Sequence, residues 1–250
     1  MRSLRNNCVD ERCFRDYNAI MKKILLLCDD QWHPGQVVID GVAPLVKEGF
    51  EMDMITDAHD FSPDRLANYS VVLLSKSDEI SGVDQNSWKS EAVQKSLVEY
   101  VENGGGLLAV HSGVVAGEDT EILDKLIGCR FVSHPEQTMV TVAPLKPHPI
   151  TCGVETFQEL DEHYRVEILQ EDLEILFGAY SPAQGIESKY QTEPYTNSPE
   201  YLSLSGYVRK VGKGRVCVLT PGHNLEVWLN ESFQKTLRNA LFWCAGVDEL

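Results

Sequence analysis

GGGLLAVHSG, residues 104–113, predicts the end of a helix, a buried strand and a sharp turn, in that order. A strand followed by such a turn is typical of a nucleophile elbow, in which a reactive side chain is lifted onto the next helix. Elbows of this kind carry Ser or Cys at the tip, whereas the tip residue here is His111. The stretch therefore places one strand of a sheet and raises the question of what an imidazole does at its end.

The residues before this stretch alternate between apolar runs and helical patterns. Strands are predicted at 23–30, 50–56, 70–77 and 106–113, and helices at 35–49, 62–69 and 84–105. Near-continuous apolar strands separated by helices indicate a parallel sheet that is covered on both faces. With right-handed crossovers, this βαβαβαβ series gives an α/β fold of the flavodoxin-like, doubly wound class.

Beyond residue 128, long helices no longer separate the predicted strands. Strands are predicted at 138–145, 164–169 and 173–180, followed by a hairpin over 201–222 and a closing helix over 230–246. This part is expected to form a strand-rich, antiparallel extension of the mainly parallel sheet. Residues 181–199 have no usable periodicity and are expected to be a long loop.

The chain is expected to consist of an N-terminal extension and one domain. Residues 1–20 lack both the apolar region of a signal peptide and a clean periodicity. We expect them to be a disordered or loosely docked extension, or a mistaken start. Residues 21–250 are expected to form a single domain, because their length suits one α/β core.

Charge, hydropathy and cysteine usage exclude several classes of partner. The formal net charge of −16 at pH 7 disfavours a nucleic-acid partner, which requires clustered Lys and Arg. No apolar run approaches the ~18 residues of a membrane span. The seven cysteines include no Cys-x-x-Cys pair, which favours reduced thiols over a disulfide framework or a zinc knuckle. We therefore expect a cytoplasmic protein without a nucleic-acid or membrane partner.

Polar side chains are concentrated where the predicted strands end. In a doubly wound sheet, ligands bind at the carboxyl ends of the strands. These ends carry Asp29, Asp30, His33, Ser75, Lys76, Ser77, His111, Ser112, His223 and Glu226, and a neighbouring loop adds His134. Three histidines at strand ends are a large share of the seven in the chain.

These histidines also have structural interpretations. His111 can fill its turn and hydrogen-bond a backbone carbonyl, and His223 can cap the helix that follows it. His134 precedes a proline, which by itself favours an extended or turn conformation. Because the residues converge on one edge of the predicted sheet, we predict a site in which His111 and His223 face each other.

Four stretches together resemble the ThuA-like (trehalose-utilisation) family of the class I glutamine-amidotransferase-like superfamily. They are GGGLLAVHSG (104–113), GCRFVSHPE (128–136), HPITCGVETFQELDEHY (148–164) and the long stretch from GKGRVCVLTPGH to NALFWCAG (212–246). The resemblance covers about residues 21–246. It implies a flavodoxin-like fold, in agreement with the strand pattern, and a role in a carbohydrate pathway.

The same resemblance bears on the imidazole at the turn. Glutamine amidotransferases carry a nucleophilic Cys at the elbow and a partner His at the end of a late strand. Here His111 occupies the Cys position and His223 the partner position. An imidazole cannot form the acyl-thioester that glutamine hydrolysis requires, so amidotransferase activity is not expected. Ser112 is a substitute nucleophile, although it lies one residue past the tip.

Two facing imidazoles have two chemical uses, and the sequence leaves both open. Neutral histidines with a carboxylate can bind a divalent ion, zinc or manganese, and His111, His134 and His223 with Glu162 or Asp161 are the candidate ligands. Alternatively, the histidines act as general acid and base without a metal, with carboxylates setting their pKa values. The stretch DEHY (161–164), which supplies both carboxylates, is otherwise a solvated turn.

Several residues are candidates to contact a substrate. An aromatic ring beside a polar cluster can stack on a sugar, which makes Trp228, Tyr164 and Trp32 candidates, although Trp228 can instead anchor the last helix. The full set of expected substrate-binding residues is Asp30, His33, Ser75, Lys76, Tyr164, Glu226 and Trp228. No G-x-G-x-x-G follows a strand, so no nicotinamide, flavin or nucleotide cofactor is expected.

Three functions are compatible with these residues and with the resemblance. The first is a sugar-active hydrolase, lyase or isomerase that uses His111, His223 and Glu162, with a carbohydrate as its small-molecule ligand. The second is a non-catalytic carbohydrate-binding or regulatory protein on the same scaffold. The third is a residual hydrolase that uses Ser112 or a thiol. A homo-oligomer is compatible with each of them.

Overall fold

The computed structural model describes residues 22–181 and 203–248, and this part of the chain contains eleven strands and five α-helices. The strands are β1 (Lys23–Cys28), β2 (Glu51–Ile55), β3 (Val71–Ser75), β4 (Gly106–Val110), β5 (Cys129–Ser133), β6 (Thr138–Pro144), β7 (Phe157–Asp161), β8 (Arg165–Ile168), β9 (Glu174–Tyr180), β10 (Ser203–Val211) and β11 (Gly214–Leu219). The helices are α1 (Gly35–Lys47), α2 (Glu91–Glu102), α3 (Glu121–Ile127), α4 (Leu225–Leu229) and α5 (Glu231–Cys244).

Nine of these strands form one sheet in the order β2-β1-β3-β4-β11-β10-β9-β6-β7. The five strands from β2 to β11 are parallel, and the remaining ones pair antiparallel. Strands β5 and β8 pair with each other in a separate two-stranded sheet. The predicted flavodoxin-like α/β fold with a strand-rich extension is confirmed.

Alternation along the buried strands explains why helices cover both faces of the sheet. In β1, Ile24 and Leu26 contribute to one hydrophobic cluster, and Leu25 and Leu27 contribute to the other. Side chains of α1 and α5 complete the first cluster, and side chains of α2 and α3 complete the second. Burial on both faces requires the near-continuous apolar strands that the sequence shows.

Some predicted boundaries differ from the structure. The helix predicted over 84–105 begins only at Glu91, because the Ser90 hydroxyl accepts a hydrogen bond from the Val93 N–H and caps it. The helix predicted over 62–69 is a 3-10 helix, Pro63–Asn68. The sequence patterns do not predict strands β5 and β7 or helices α3 and α4. Residues 1–20 and all of the predicted loop at 181–199 except Ser181 lie outside the described residues.

The cysteines agree with the sequence prediction at four of the described positions. Cys28, Cys129, Cys217 and Cys244 are buried free thiols. Cys152 is disulfide-bonded, so the expectation of reduced thiols is wrong there. Without a Cys-x-x-Cys pair, the sequence gives no sign of which distant cysteines meet. Within residues 22–181 and 203–248, no helix has the length and hydrophobicity that crossing a bilayer requires.

Candidate functional site

Four ionisable side chains meet at the carboxyl edge of the sheet. His33 follows β1, His111 follows β4, Glu162 follows β7 and His223 lies four residues beyond β11. One nitrogen of each imidazole and one carboxylate oxygen all lie within 4.8 Å of one another. The rings of His111 and His223 have centroids 5.5 Å apart at an angle of 75°, so the structure brings the two histidines together edge to face.

The Oε2 atom of Glu162 lies at the centre of this cluster. It lies 3.2 Å from Nδ1 of His223, 3.4 Å from Nε2 of His111 and 4.0 Å from Nε2 of His33. Ligands held about 2.0–2.1 Å from a tetrahedral zinc ion are about 3.3–3.4 Å apart. The distances to His223 and His111 match the edge of such a tetrahedron, and the distance to His33 is longer by about 0.6 Å.

The backbone at the end of β4 directs the imidazole of His111. His111 has a φ of 49°, in the left-handed region that few non-glycine residues adopt. Its Nδ1 lies 2.9 Å from the carbonyl oxygen of Thr220, so this nitrogen carries the proton and donates it. The unprotonated Nε2 then points toward Glu162. The turn also requires Gly113, because a Cβ there would lie 2.1 Å from the Leu74 carbonyl oxygen.

A carboxylate fixes the imidazole of His33. Nδ1 of His33 lies 2.7 Å from Oδ1 of Asp30, and the same oxygen accepts hydrogen bonds from the backbone N–H groups of Trp32 and His33 at 3.0 Å. The other oxygen of Asp30 accepts from the Ser77 N–H at 3.1 Å. Nε2 of His33 is thereby left facing the cluster. An Asp–His pair behind a ligand nitrogen is a common support in metal sites.

Asp161 positions the other two members of the cluster. Its carboxylate accepts hydrogen bonds from the N–H groups of Gly222 and His223, both at 3.0 Å, and from that of Glu162 at 2.9 Å. The residues that follow β7 and β11 are thus tied to one buried carboxylate. Gly222 has a φ of 141°, which glycine adopts without strain.

Charge is concentrated on a few buried groups of the cluster. Burial by itself would raise the pKa of Glu162, but the imidazoles of His111, His223 and His33 outweigh it and hold that pKa well below its usual range. Burial likewise opposes the charge on His33, yet the carboxylates of Asp30 and Glu162 raise its pKa to about 9. Burial lowers the pKa of His111, which is 1% exposed. The site without a metal therefore holds a carboxylate, a cationic imidazole and a neutral one.

Two nitrogens in the cluster have no hydrogen-bond partner among the described residues. Nε2 of His111 and Nδ1 of His223 are buried, and although both approach Glu162, neither makes a hydrogen bond to it. Unpaired buried acceptors cost free energy, about 1–3 kcal/mol each. Both atoms converge on the same carboxylate oxygen, which is the arrangement expected where a ligand completes the site.

The predicted metal ligands are only partly the residues that the structure groups. His111, His223 and Glu162 lie in the cluster, and His33, predicted as a substrate-binding residue, joins them. His134 lies outside the group: its Nε2 is 3.6 Å from Oε1 of Glu162, and its side chain is 34% exposed. Its Nδ1 contacts the Pro135 carbonyl oxygen at 2.7 Å.

Most of the other predicted site residues pack around the cluster or hydrogen-bond to the residues next to it. Residues 161–164 are all buried, so this stretch is not a solvated turn. The Tyr164 ring stacks on His111 at 4.1 Å, and its hydroxyl lies 3.4 Å from Nε2 of His33. The Nζ of the buried Lys76 donates a hydrogen bond to the Asp29 carbonyl oxygen. Asp30, Lys76 and Tyr164 thus contact protein groups around the cluster, and their contact with substrate stays a prediction.

Four further candidates lie away from the cluster's contacts. Trp228 is buried and donates a hydrogen bond from Nε1 to the Gly222 carbonyl at 2.7 Å, so it is an anchor and does not offer a face to a sugar. Ser112 and Ser75 are buried, which leaves Ser112 without the access that a nucleophile needs. Glu226 is exposed on α4 and does not belong to the cluster.

The positioning residues carry weaker sequence signals than the ligands. Asp30 precedes His33 by three residues, a spacing that allows the side-chain contact observed here. The sequence offers Asp161 as a metal ligand, and no local pattern indicates that it accepts backbone N–H groups from residues 222 and 223. The contact of His111 with Thr220 joins residues 109 positions apart, and no spacing rule predicts it.

A family model and solved structures of related proteins agree on the same family. The model of a family described as ThuA, trehalose utilisation, matches residues 23–244. No curated protein matches the chain. A ThuA-like protein from Parabacteroides merdae is 18% identical, with 91% of each chain covered and a TM-score of 0.69.

Two further solved structures have the same fold. A ThuA-like protein from Bacteroides uniformis is 18% identical, with 91% of this chain and 92% of that chain covered and a TM-score of 0.64. A cytoplasmic protein from Salmonella typhimurium LT2 is 14% identical, with 89% of this chain and 99% of that chain covered and a TM-score of 0.60. At these identities the likeness is one of fold.

Proposed function

The chain belongs to the ThuA (trehalose utilisation) family, and on that premise we propose that it is a sugar-active enzyme with a divalent metal centre. His33, His111, His223 and Glu162 are the proposed ligands, and zinc or manganese is the proposed ion. The proposed substrate is trehalose or a related glycoside, handled in the cytoplasm. One observation carries the proposal: two buried imidazole nitrogens without hydrogen-bond partners converge on one carboxylate oxygen.

The chemistry of the donor set supports a metal. Three imidazole nitrogens and one carboxylate oxygen suit zinc and other first-row divalent ions. Two of the imidazoles have their second nitrogen on an oxygen acceptor, Asp30 for His33 and Thr220 for His111, which fixes the ring and leaves the other nitrogen free to coordinate. The supporting contacts therefore orient one nitrogen of His33 and one of His111 toward the cluster, and His33, which is cationic without a metal, would release a proton when it coordinates.

The chain's own residues define where a sugar would be held. A bound divalent ion would polarise an oxygen of the sugar or lower the pKa of a water. Glu162 has Oε2 among the three imidazoles, while its Oε1 faces His134. His134 is the more exposed partner of Glu162, so it borders the open side of the site. Tyr164 stacks on His111 at 4.1 Å, and its ring lies beside that of His134 at 5.9 Å.

Acid–base catalysis without a metal is the second candidate, and the position of His134 favours it. His134 has one nitrogen on a carbonyl oxygen and the other 3.6 Å from Glu162, at the exposed side of the cluster. An imidazole in that place can exchange protons with a bound sugar. This candidate uses the same residues and differs in requiring no ion.

Metal binding to the full chain separates the candidates. Protein purified without a His tag and freed of metal with a chelator is titrated with zinc or manganese by calorimetry, and bound metal is counted by elemental analysis. We expect one ion per chain. Free metal at 100 times the Kd adds about 2.7 kcal/mol to the free energy of unfolding, which raises Tm by about 5–11 °C in a chain of this size.

A matched pair of histidine variants supplies the control. His33→Ala removes a proposed ligand, whereas His59→Ala removes an exposed histidine whose Nδ1 lies 2.9 Å from the neighbouring Asp57. We expect His33→Ala to abolish most of the metal-dependent rise in Tm and His59→Ala to preserve it. If the wild-type chain binds no ion but still converts or binds trehalose, the metal is excluded and acid–base chemistry or simple binding remains. If it binds neither, the proposed function is wrong.

A further inference from the structure

One large aromatic side chain at the edge of the cluster is not buried. Trp32 is 68% exposed, whereas the other three tryptophans of the chain, Trp88, Trp228 and Trp243, are buried. Trp32 directly precedes His33, and adjacent Cα atoms are about 3.8 Å apart. The residue that carries the exposed indole is therefore the chain neighbour of a proposed metal ligand.

The backbone that carries this indole is fixed. Oδ1 of Asp30 accepts hydrogen bonds from the N–H groups of Trp32 and His33, both at 3.0 Å, and from Nδ1 of His33 at 2.7 Å. The Asp30 N–H in turn donates to the His33 carbonyl at 3.2 Å. A single carboxylate thus holds both the ligand histidine and the backbone of Trp32.

Neighbouring loops hold the same turn from outside. Oδ1 of Asp29 accepts a hydrogen bond from the Gly35 N–H at 2.8 Å, and Oδ2 accepts one from the Gly82 N–H at 2.7 Å. Oδ2 of Asp30 accepts from the Ser77 N–H at 3.1 Å. Since the backbone under Trp32 is already ordered, a ligand that contacts the ring incurs little ordering cost.

The other aromatic rings considered for sugar binding are not accessible. Tyr164 is buried between His111 and Phe131, with ring centroids at 4.1 and 4.4 Å respectively. Trp228 is buried against Gly41, where a Cβ would come within 2.5 Å of it. Of the three rings, Trp32 alone offers a free face.

We propose that Trp32 is the sugar platform of this site, with its indole face stacked on the C–H face of a pyranose ring. The inference rests on the proposed function, because it names the substrate class of the same site. An indole has a large apolar face and a polar edge, so it matches a sugar ring whose C–H groups lie on one side. Hydroxyl groups at the opposite side of that sugar remain available to the cluster.

A stacking platform at Trp32 would bind pyranosides in preference to open-chain polyols. Trehalose and methyl α-glucopyranoside have a flat C–H face, whereas sorbitol has hydroxyl groups on an open chain. We expect both pyranosides to bind more tightly than sorbitol. We also expect them to shield the indole from quenching by acrylamide, which reports Trp32 selectively because the other three tryptophans are buried.

The test uses the metal-loaded full chain, acrylamide quenching of tryptophan fluorescence and calorimetric titration with trehalose. Trp32→Ala is expected to weaken trehalose binding about tenfold, and Trp32→Phe is expected to weaken it less because a smaller ring remains. The matched control is Val83→Ala, which truncates a 95% exposed apolar residue on the loop next to Gly82. Val83→Ala is expected to bind trehalose as the wild type does. Metal affinity is expected to be unchanged in all three variants.

The outcomes distinguish this proposal from the proposed function. If Trp32→Ala binds metal and trehalose as the wild type does, the platform is wrong and the metal centre stands. If metal does not bind while trehalose still protects Trp32, the platform stands and the metal centre is wrong. If the wild-type chain binds none of the sugars, both are wrong. Protection of Trp32 that depends only on protein concentration would assign the ring to a contact between copies and overturn the platform.

Discussion

Replacing Asp30 by Asn tests whether the contacts behind the cluster exist to prepare a metal ligand. Asp30 accepts four hydrogen bonds, three on Oδ1 and one on Oδ2. An asparagine in the same rotamer keeps a carbonyl oxygen toward His33 but turns an NH₂ group toward the Ser77 N–H. It also removes the negative charge that holds the proton on Nδ1 of His33 and directs Nε2 toward Glu162.

The two losses have separate magnitudes. The unpaired Ser77 N–H costs about 1–3 kcal/mol of folding stability without metal, which lowers Tm by about 2–12 °C in a chain of this size. Loss of a supporting carboxylate typically costs 10–100-fold in metal affinity, which is about 1.4–2.7 kcal/mol. At a fixed metal concentration, the metal-dependent rise in Tm is therefore expected to shrink by about 3–11 °C beyond the loss seen without metal.

The assay is differential scanning calorimetry of metal-free and metal-loaded protein, with calorimetric titration for the Kd. Asp57→Asn is the matched control, because Asp57 accepts hydrogen bonds from the N–H and Nδ1 of the exposed His59, both at 2.9 Å. That variant is expected to leave the Kd unchanged. Equal metal affinities for the Asp30→Asn variant and the wild type would refute the reasoning, and so would an equal loss in both aspartate variants.

Two further predictions concern the fold under the site. Gly113→Ala is expected to lower the free energy of unfolding by about 1–3 kcal/mol or more, because its Cβ would lie 2.1 Å from the Leu74 carbonyl oxygen. Urea unfolding measures this loss, and the control is Gly49→Ala, where φ is also positive, at 102°, but the Cβ would meet nothing within 4 Å. Equal losses in the two variants would contradict the prediction. Lys89 is buried, and this burial lowers its pKa from 10.5 to about 8. Between pH 8 and pH 10.5, Lys89 is therefore protonated in the unfolded chain and neutral in the folded chain. The wild type therefore loses stability as pH falls through that range, and Lys89→Met, which does not titrate, is expected to gain about 2–3 kcal/mol relative to the wild type between pH 10 and pH 7. Urea unfolding at both pH values measures the gain, and parallel stabilities would show that Lys89 keeps an ordinary pKa.

The parallel half of the fold could be predicted because its physical requirement is visible locally. A strand buried on both faces has to be apolar throughout, and β1, β3 and β4 are short uninterrupted apolar runs that end at polar residues. The strands of the antiparallel part are harder to predict from the sequence. Strand β7, Phe157–Asp161, has exposed and buried residues mixed over five positions, which gives no clear signal of a strand without its partner β6.

The sequence by itself determined which edge of the sheet carries the site. Parallel strands all end at the same edge, so His111 after β4 and His223 beyond β11 were both expected there. The ThuA-like resemblance added the stretch with Glu162. The expectation depends on where each strand ends, which local apolar patterns indicate, whereas the pairing of β4 with β11 that brings the two histidines together is a tertiary contact.

Only the tertiary structure decided which nitrogens face one another. His33 joins the cluster because the carboxylate of Asp30 orients its ring, and His134 has no such partner in the cluster. The orientation of His111 follows from its left-handed φ and from the carbonyl oxygen of Thr220, one residue beyond β11. The accessible ring could not be read from the sequence either, since Trp32 and Trp228 differ only in burial. Burial and ring orientation arise from contacts between residues far apart along the chain, which no local pattern specifies.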